Sequence, residues 1–348
     1  MTQPISERRG IACAGNWIVD HVKMIDRLPG RSMLGSIQSE TQGTGGAPFS
    51  VLMDLARMGA PFPLVGLGVV GEDAGRDFIR QTCNRFPVDI SNLVTDREAA
   101  TSYTDVMTEI GSGDRIFYHC RGANARFGLE HVPIAKLSCR IFHLGYLLLL
   151  DRLDQPDAEF GTMAARLLKL LQEAGIKTSL DVVSEESDRF RQIVPPSLRH
   201  TDYLVINEIE AGRTTGRTVR DAGGKLSGPA IIDAVEALYE LGNMELVIVH
   251  MPEGAYLRTR AGRRCAQGAL ALPKGYIQGT VGAGDAFCAG ILYALHEGWD
   301  VADALHLGSC SAAASLAHPS STDGMLPLAQ LLELGKRFPE QDLPVEIK

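Results

Sequence analysis

From residue 137 onward the chain alternates short apolar runs with amphipathic helical stretches, and few architectures can absorb that pattern. Residues 140–145, 178–182, 203–206 and 246–250 read as strands. Between them, 160–174 (closed by Gly175) and 229–241 carry apolar residues at helical spacing. Strand–helix alternation requires right-handed crossovers around a mainly parallel sheet, with helices on both faces. The fold class expected is therefore α/β, with three layers. Ligands of such sheets collect beyond the carboxyl ends of the strands, near a topological switch point.

The first third adds to the same sheet. Residues 11–15 form an apolar run ending in glycine, and 64–67 read as another strand. Between them Pro48 suits the first turn of a helix, where its missing N–H costs nothing. Val51, Leu52, Leu55 and Met58 follow at helical spacing until Gly59 ends the element. Asp73 opens a further helix toward Phe86. Residues 16–46 show little helical period, and 101–107 and 115–120 look like two strands joined through Gly111-Ser112-Gly113. The segments 17–44 and 100–121 are expected to form a small β-sheet that projects as a lid over a site or as a contact between subunits. One domain over 10–335 is expected, with a polar tail over 336–348 that is loose after Phe338.

Composition excludes several classes. The 348 residues carry a formal net charge of −8, from 34 basic and 42 acidic side chains, against a nucleic-acid footprint over the whole surface. The basic cluster from Arg258 to Arg264 reads as a solvated edge. Seven cysteines without CxxC spacing suggest reduced thiols in a cytoplasmic protein and no zinc site. Residues 1–9 are polar, without a signal core, and the longest apolar run, 141–150, is too short to span a bilayer. No membrane partner is expected.

The chemistry concentrates in Gly279-Thr280-Val281-Gly282-Ala283-Gly284-Asp285, which runs into a helical pattern. The unsatisfied N–H groups of a helix start attract phosphate, and the small residues let it approach the backbone. The helix buries the stripe Ala283, Phe287, Ile291 and Leu295, leaving Asp285 off the stripe to face a cleft. An isolated Gly-Asp would merely complement the helix dipole. Beside a bare Gly-Ala-Gly corner, the acid can take a proton from a hydroxyl that attacks the phosphate.

At these residues the chain resembles the PfkB, or ribokinase-like, carbohydrate kinases, whose C-terminal signature reads Asp-Thr-x-Gly-Ala-Gly-Asp. The N-terminal signature is matched by Gly45-Gly46-Ala47-Pro48-Phe49-Ser50, continuing to Gly59, Val65-Gly66 and Val70-Gly71-Glu72-Asp73. The likeness runs from Gly15 to about Gly324. It implies the ribokinase-like fold and ATP- and Mg²⁺-dependent phosphorylation of a hydroxyl on a small sugar, as in ribokinase or fructokinase. A nucleoside or a sugar acid is the alternative acceptor. By the resemblance Asp285 is the general base, and the amides of Gly282, Ala283 and Gly284 form the anion hole. Asp20, Gly45, Gly46, Ser50 and Asn124 fall where substrate is bound, with Asn124 able instead to fix a loop. Asn207, Glu210, Thr280, Gly254 and Ser309 fall on the nucleotide side. Asn207 and Glu210, matching an Asn-x-x-Glu element, would hold Mg²⁺ through water, with Asp181 a lesser candidate. Relatives often pair as homodimers through the lid.

Two positions depart from the pattern. Gly279 stands where relatives carry an Asp that helps hold a monovalent cation, which puts K⁺ activation in question. Ser50 replaces an Asn on the cleft side and alters reach toward substrate. A non-catalytic sugar or nucleotide sensor on the same fold is a further reading that intact Asp285 opposes. The chain has no GxxxxGK[ST] run, which excludes a P-loop kinase. Gly66-Leu67-Gly68-Val69-Val70-Gly71 spells GxGxxG but lacks the acidic partner of a dinucleotide site, and the family likeness makes it a turn.

Overall fold

The structure, a computed structural model, describes residues 8–112 and 114–345. The polar residues ahead of position 8, Gly113 of the expected hairpin turn and the last three residues of the tail lie outside it.

The chain opens with β1 (Ile11–Gly15), β2 (Ile18–Ile25) and β3 (Ile37–Gly45), followed by α1 (Ala47–Met58), β4 (Leu64–Gly71), α2 (Ala74–Cys83) and β5 (Val88–Asp96). Next come β6 (Tyr103–Glu109), β7 (Arg115–Cys120), β8 (Ile141–Leu147) and a two-residue pair, β9 (Pro156–Asp157) and β10 (Gly161–Thr162). The alternating half supplies α3 (Met163–Glu173), β11 (Lys177–Val182), α4 (Phe190–Leu198), β12 (Tyr203–Asn207), α5 (Glu208–Thr215), α6 (Gly228–Leu241) and β13 (Leu246–Met251). An antiparallel edge, β14 (Gly254–Thr259) and β15 (Arg264–Gly268), precedes α7 (Ala283–Glu297), α8 (Val301–Ser315) and α9 (Leu328–Arg337).

Nine strands form the main sheet in the order β15-β14-β13-β12-β11-β8-β1-β4-β5, parallel from β13 to β5. Its interior strands are apolar on both faces, as burial between two helical layers requires. In β1, Ile11 and Cys13 face the layer of α1, α2 and α7–α9, while Ala12 and Ala14 face the layer of α3–α6. The chain leaves β1 toward β4 and β5, then returns on its other side through β8. That reversal makes the switch point lie between β1 and β8.

The small sheet, β3-β2-β6-β7, is built from the two segments expected for a lid. Its β2–β3 hairpin lies in the stretch that lacks helical period because β3 (IQSETQGTG) is polar and mostly exposed, so no apolar alternation marks it.

Several expectations need correction. Gly66–Gly71 lies within β4 and is not a turn. Gly66 and Gly68 are bare because the Trp17 ring lies on them: a Cβ at Gly66 would sit 2.7 Å from the ring. The buried indole donates to the Leu67 carbonyl at 2.8 Å. The helix placed at 160–174 begins at Met163, since the Thr162 side chain caps it by accepting from Ala165 N at 3.2 Å. The segment after Phe338 is not loose as far as it is described. Gln341 N donates to Ala269 O at 2.8 Å, Glu340 bridges to Leu270, and Val345 is buried in the core of the α3–α6 layer. All seven cysteines are free, and five are buried.

Candidate active site

The start of α7 creates the site. Gly282 caps the helix at φ 82°, a left-handed conformation open to glycine, and a Cβ there would press 2.8 Å from Ser321 Cα. The first helical bond recorded at this end runs from Ala286 N to Gly282 O at 2.8 Å, and Ala283 N reaches Thr280 O only at 3.4 Å. Among the described residues, the N–H groups of Gly284 and Asp285 reach no protein acceptor. Two free amides at the positive end of a 15-residue helix make an anion site.

Asp285 stands in this first turn, 8% exposed. Burial pushes its pKa up to about 6, opposed by the Tyr146 hydroxyl and by nearby Ser50. Tyr146 donates to both carboxylate oxygens, at 2.8 and 2.9 Å. Ser50 Oγ lies close enough to favour the ionised acid but makes no hydrogen bond of good geometry with any described group. The sequence reading missed Tyr146. It follows the run 140–145 at the carboxyl end of β8, beside the switch point, and that position is the signal that could have found it.

On the lid side, Asp20, Thr104 and His119 stand abreast across β2, β6 and β7. Thr104 lies close enough to the Asp20 carboxylate to favour its ionised form, and its Oγ lies 3.0 Å from His119 Nδ1. Burial and the Asp285 charge raise the Asp20 pKa to about 6 despite the threonine. Gly45 is bare because a Cβ would fall on the Asp20 carboxylate, and Gly46 caps α1, with Ser50 one turn further on. Asp20, Gly45, Gly46, Ser50 and Asp285 are therefore neighbours at the foot of the small sheet.

Asn124 does not join them. It is fully buried, with Oδ1 accepting from Trp17 N and Nδ2 donating to Trp17 O, both at 3.1 Å. Of the two roles expected for it, the structure has the loop-fixing one, because both ends of its amide are engaged by the loop after β1. Arg121, at the lid's root, is held by Asp151, by Glu185 at 3.3 Å and by the Leu148 carbonyl at 2.8 Å.

On the other side of the α7 start lies a mainly apolar cavity of about 480 Å³. Asn207, Gly254, Thr280, Ala283, Gly284 and Ser309 all line it, together with His250, Leu270, Phe287 and Leu316. Glu210 sits behind Asn207 in a reciprocal helix cap. Asn207 Oδ1 accepts from Glu210 N, and Glu210 Oε2 from Asn207 N, both at 2.9 Å, while Ser184 donates to Oε1 at 2.7 Å. Burial raises the Glu210 pKa to about 7; that of Asp181 is pushed well up by burial and by the charges of Glu210 and Asp285. Gly279 is sterically required: a Cβ would lie 2.7 Å from Pro319 Cα and 2.9 Å from His318 O. His318 Nδ1 pairs with Ser320 Oγ at 3.0 Å, a structural role.

Proteins of this shape are known. The chain is 23% identical over 309 residues to the 5-dehydro-2-deoxygluconokinase of Clostridium perfringens, covering 85% of each chain. It shares the fold of Arabidopsis thaliana ribokinase, solved with ribose and ATP, at a TM-score of 0.75 and 21% identity, over 97% of this chain and 99% of that one. A putative ribokinase II from E. coli, solved with ATP and Mg²⁺, superposes at a TM-score of 0.73 with 17% identity, over 94% of this chain and 99% of the other. The model of the pfkB family of carbohydrate kinases matches residues 8–328, and the chain belongs to that family.

Proposed function

We propose that this carbohydrate kinase transfers the γ-phosphoryl of ATP to a hydroxyl of a small sugar, with Asp285 as general base. The observation that carries the reading is the Asp285 carboxylate beside the unpaired amides of Gly284 and Asp285, between the cavity and Asp20. Adenosine occupies the apolar cavity and the phosphate chain runs onto the α7 start. Asp20 accepts hydrogen bonds from sugar hydroxyls and orients the acceptor oxygen toward Asp285, which removes its proton. The α7 amides hold the transferring oxygens, and the lid keeps water from taking the phosphoryl. Asn207, Asp181 and Glu210 are hard oxygen donors that suit Mg²⁺. Because both Glu210 oxygens already accept protein hydrogen bonds, the ion would be held through water. Its role when bound is to offset charge on the phosphates. At position 279 a monovalent cation would find no carboxylate.

The likeness to a 5-dehydro-2-deoxygluconokinase favours a second reading, a sugar acid as acceptor. The engagement of Arg121 by two carboxylates supports the neutral sugar instead. ADP release over a panel of pentoses, hexoses and sugar acids separates them. Turnover with neutral sugars is expected, turnover with the acids alone would replace the first reading by the second, and none with any would return the chain to the sensor reading.

The lid also carries exposed apolar side chains, Phe117 and Tyr118 at 57% and 60% exposure, which support a homodimer formed through it. Free cysteines support a cytoplasmic setting, and among the described residues no helix is long and apolar enough to cross a membrane.

A further inference from the structure

His250 ends the apolar run of β13 and turns its ring into the nucleotide cavity rather than into the core. It is half-buried, leans on Phe287 with ring centroids 5.2 Å apart at 36°, and overlies the first turn of α7. A Cβ on Gly284 would lie 3.2 Å from His250 Cε1 and 3.6 Å from Nε2. The imidazole edge thus faces the residue whose amide is unpaired. Neither ring nitrogen is hydrogen-bonded to a described group, and burial alone keeps the ring neutral. A neutral imidazole carries one N–H and one acceptor nitrogen. The turn that follows places Pro252 in the same wall, and proline has no N–H to offer.

The geometry points to His250 as a phosphate ligand of the nucleotide: its Nε2–H donates to a non-bridging oxygen of the chain held on the α7 amides. This rests on the nucleotide reading of the cavity and goes beyond it, since neither signature includes position 250. An oxygen bonded to the Gly284 amide sits about 2.9 Å from that nitrogen. His250 Nε2, 3.6 Å from where a Gly284 Cβ would stand, is close enough to reach that oxygen. The donor approaches opposite the helix start, so two elements grip the phosphates: α7 through its backbone and β13 through a side chain. Gly284 has no side chain to part them.

Titration of ATP–Mg²⁺ and, separately, adenosine into the wild type, His250→Phe and His250→Gln tests it. Phenylalanine keeps the packing on Phe287 and removes the donor; glutamine restores an N–H at similar reach. The phenylalanine variant is expected to lose about tenfold or more in ATP affinity, as for a hydrogen bond to a charged group, with adenosine affinity unchanged. The glutamine variant is expected to recover part of the loss. Equal losses for ATP and adenosine would make His250 a packing residue, and unchanged ATP affinity, or glutamine no better than phenylalanine, would remove the bond. A wild type that binds neither ligand overturns the nucleotide reading and this inference with it. A wild type that binds ATP no better than the phenylalanine variant sinks the inference alone.

Discussion

Replacing Tyr146 by phenylalanine removes one oxygen and leaves the ring that covers Asp285. The lost hydroxyl serves both carboxylate oxygens, at 2.8 and 2.9 Å, but has only one proton to share. It therefore counts as one hydrogen bond to a charged group, worth about 1.5–3 kcal/mol. One pKa unit corresponds to about 1.4 kcal/mol, so the Asp285 pKa should rise by roughly one to two units. The starting value is about 6, set by burial against this same hydroxyl. The base works only when ionised, so activity falls as pH drops through that pKa. With a pKa of about 7.5 in the variant, the ionised fraction at pH 7 falls from about nine-tenths to about one quarter. Turnover should then drop about fourfold at pH 7 and about fifteenfold at pH 6, and approach the wild type at pH 9. The assay is the pH profile of kcat/KM for the sugar at saturating ATP–Mg²⁺, where titration of ATP itself is common to both proteins and cancels in their ratio. A uniform loss at every pH, with the acid limb unmoved, would refute the role given to Tyr146 and the pKa assigned to Asp285.

Other outcomes follow from the same geometry. Asp20→Ala should raise the sugar KM by about tenfold or more, with little change in the KM for ATP, and Gly45→Ala should do the same because its Cβ displaces the Asp20 carboxylate; an unchanged sugar KM moves the acceptor site elsewhere. Removing residues 339–348 takes Val345 out of the core and should lower the Tm by about 3–6 °C, read by calorimetry. Gly279→Asp should be destabilised and should not confer K⁺ activation, since its Cβ would collide with Pro319; a stable variant whose turnover rises severalfold with K⁺ contradicts that.

The main sheet was legible because its strands are buried on both faces and so stand out as apolar runs between helices. The α7 start was legible because the chemistry needs small residues and an acid in unbroken order. What escaped was whatever depends on another part of the chain. Tyr146 is a tyrosine after an apolar strand until Asp285, 139 positions away, is brought beneath its hydroxyl. Asn124 was read as a substrate contact or a loop tie, and nothing local could decide, because the Trp17 backbone that engages both ends of its amide lies 107 positions away. The family likeness made Gly66–Gly71 a turn, and nothing local showed that the Trp17 ring, some fifty residues earlier, would cover Gly66 and Gly68 in a strand. The tail's polar composition hid the single buried valine at 345 that ties it down. Helix α4 carries Pro195 and Pro196 inside it, residues that local reading takes as a stop.

Turnover of Asp285→Asn, measured with its ATP affinity on the same purified sample, bears most directly on the kinase mechanism. Asparagine keeps the size and the Tyr146 partner but cannot accept the proton. A fall in kcat of about 10²–10⁴-fold is expected, with the Kd for ATP–Mg²⁺ within about threefold of the wild type. Turnover within tenfold of the wild type would contradict the assignment of the base.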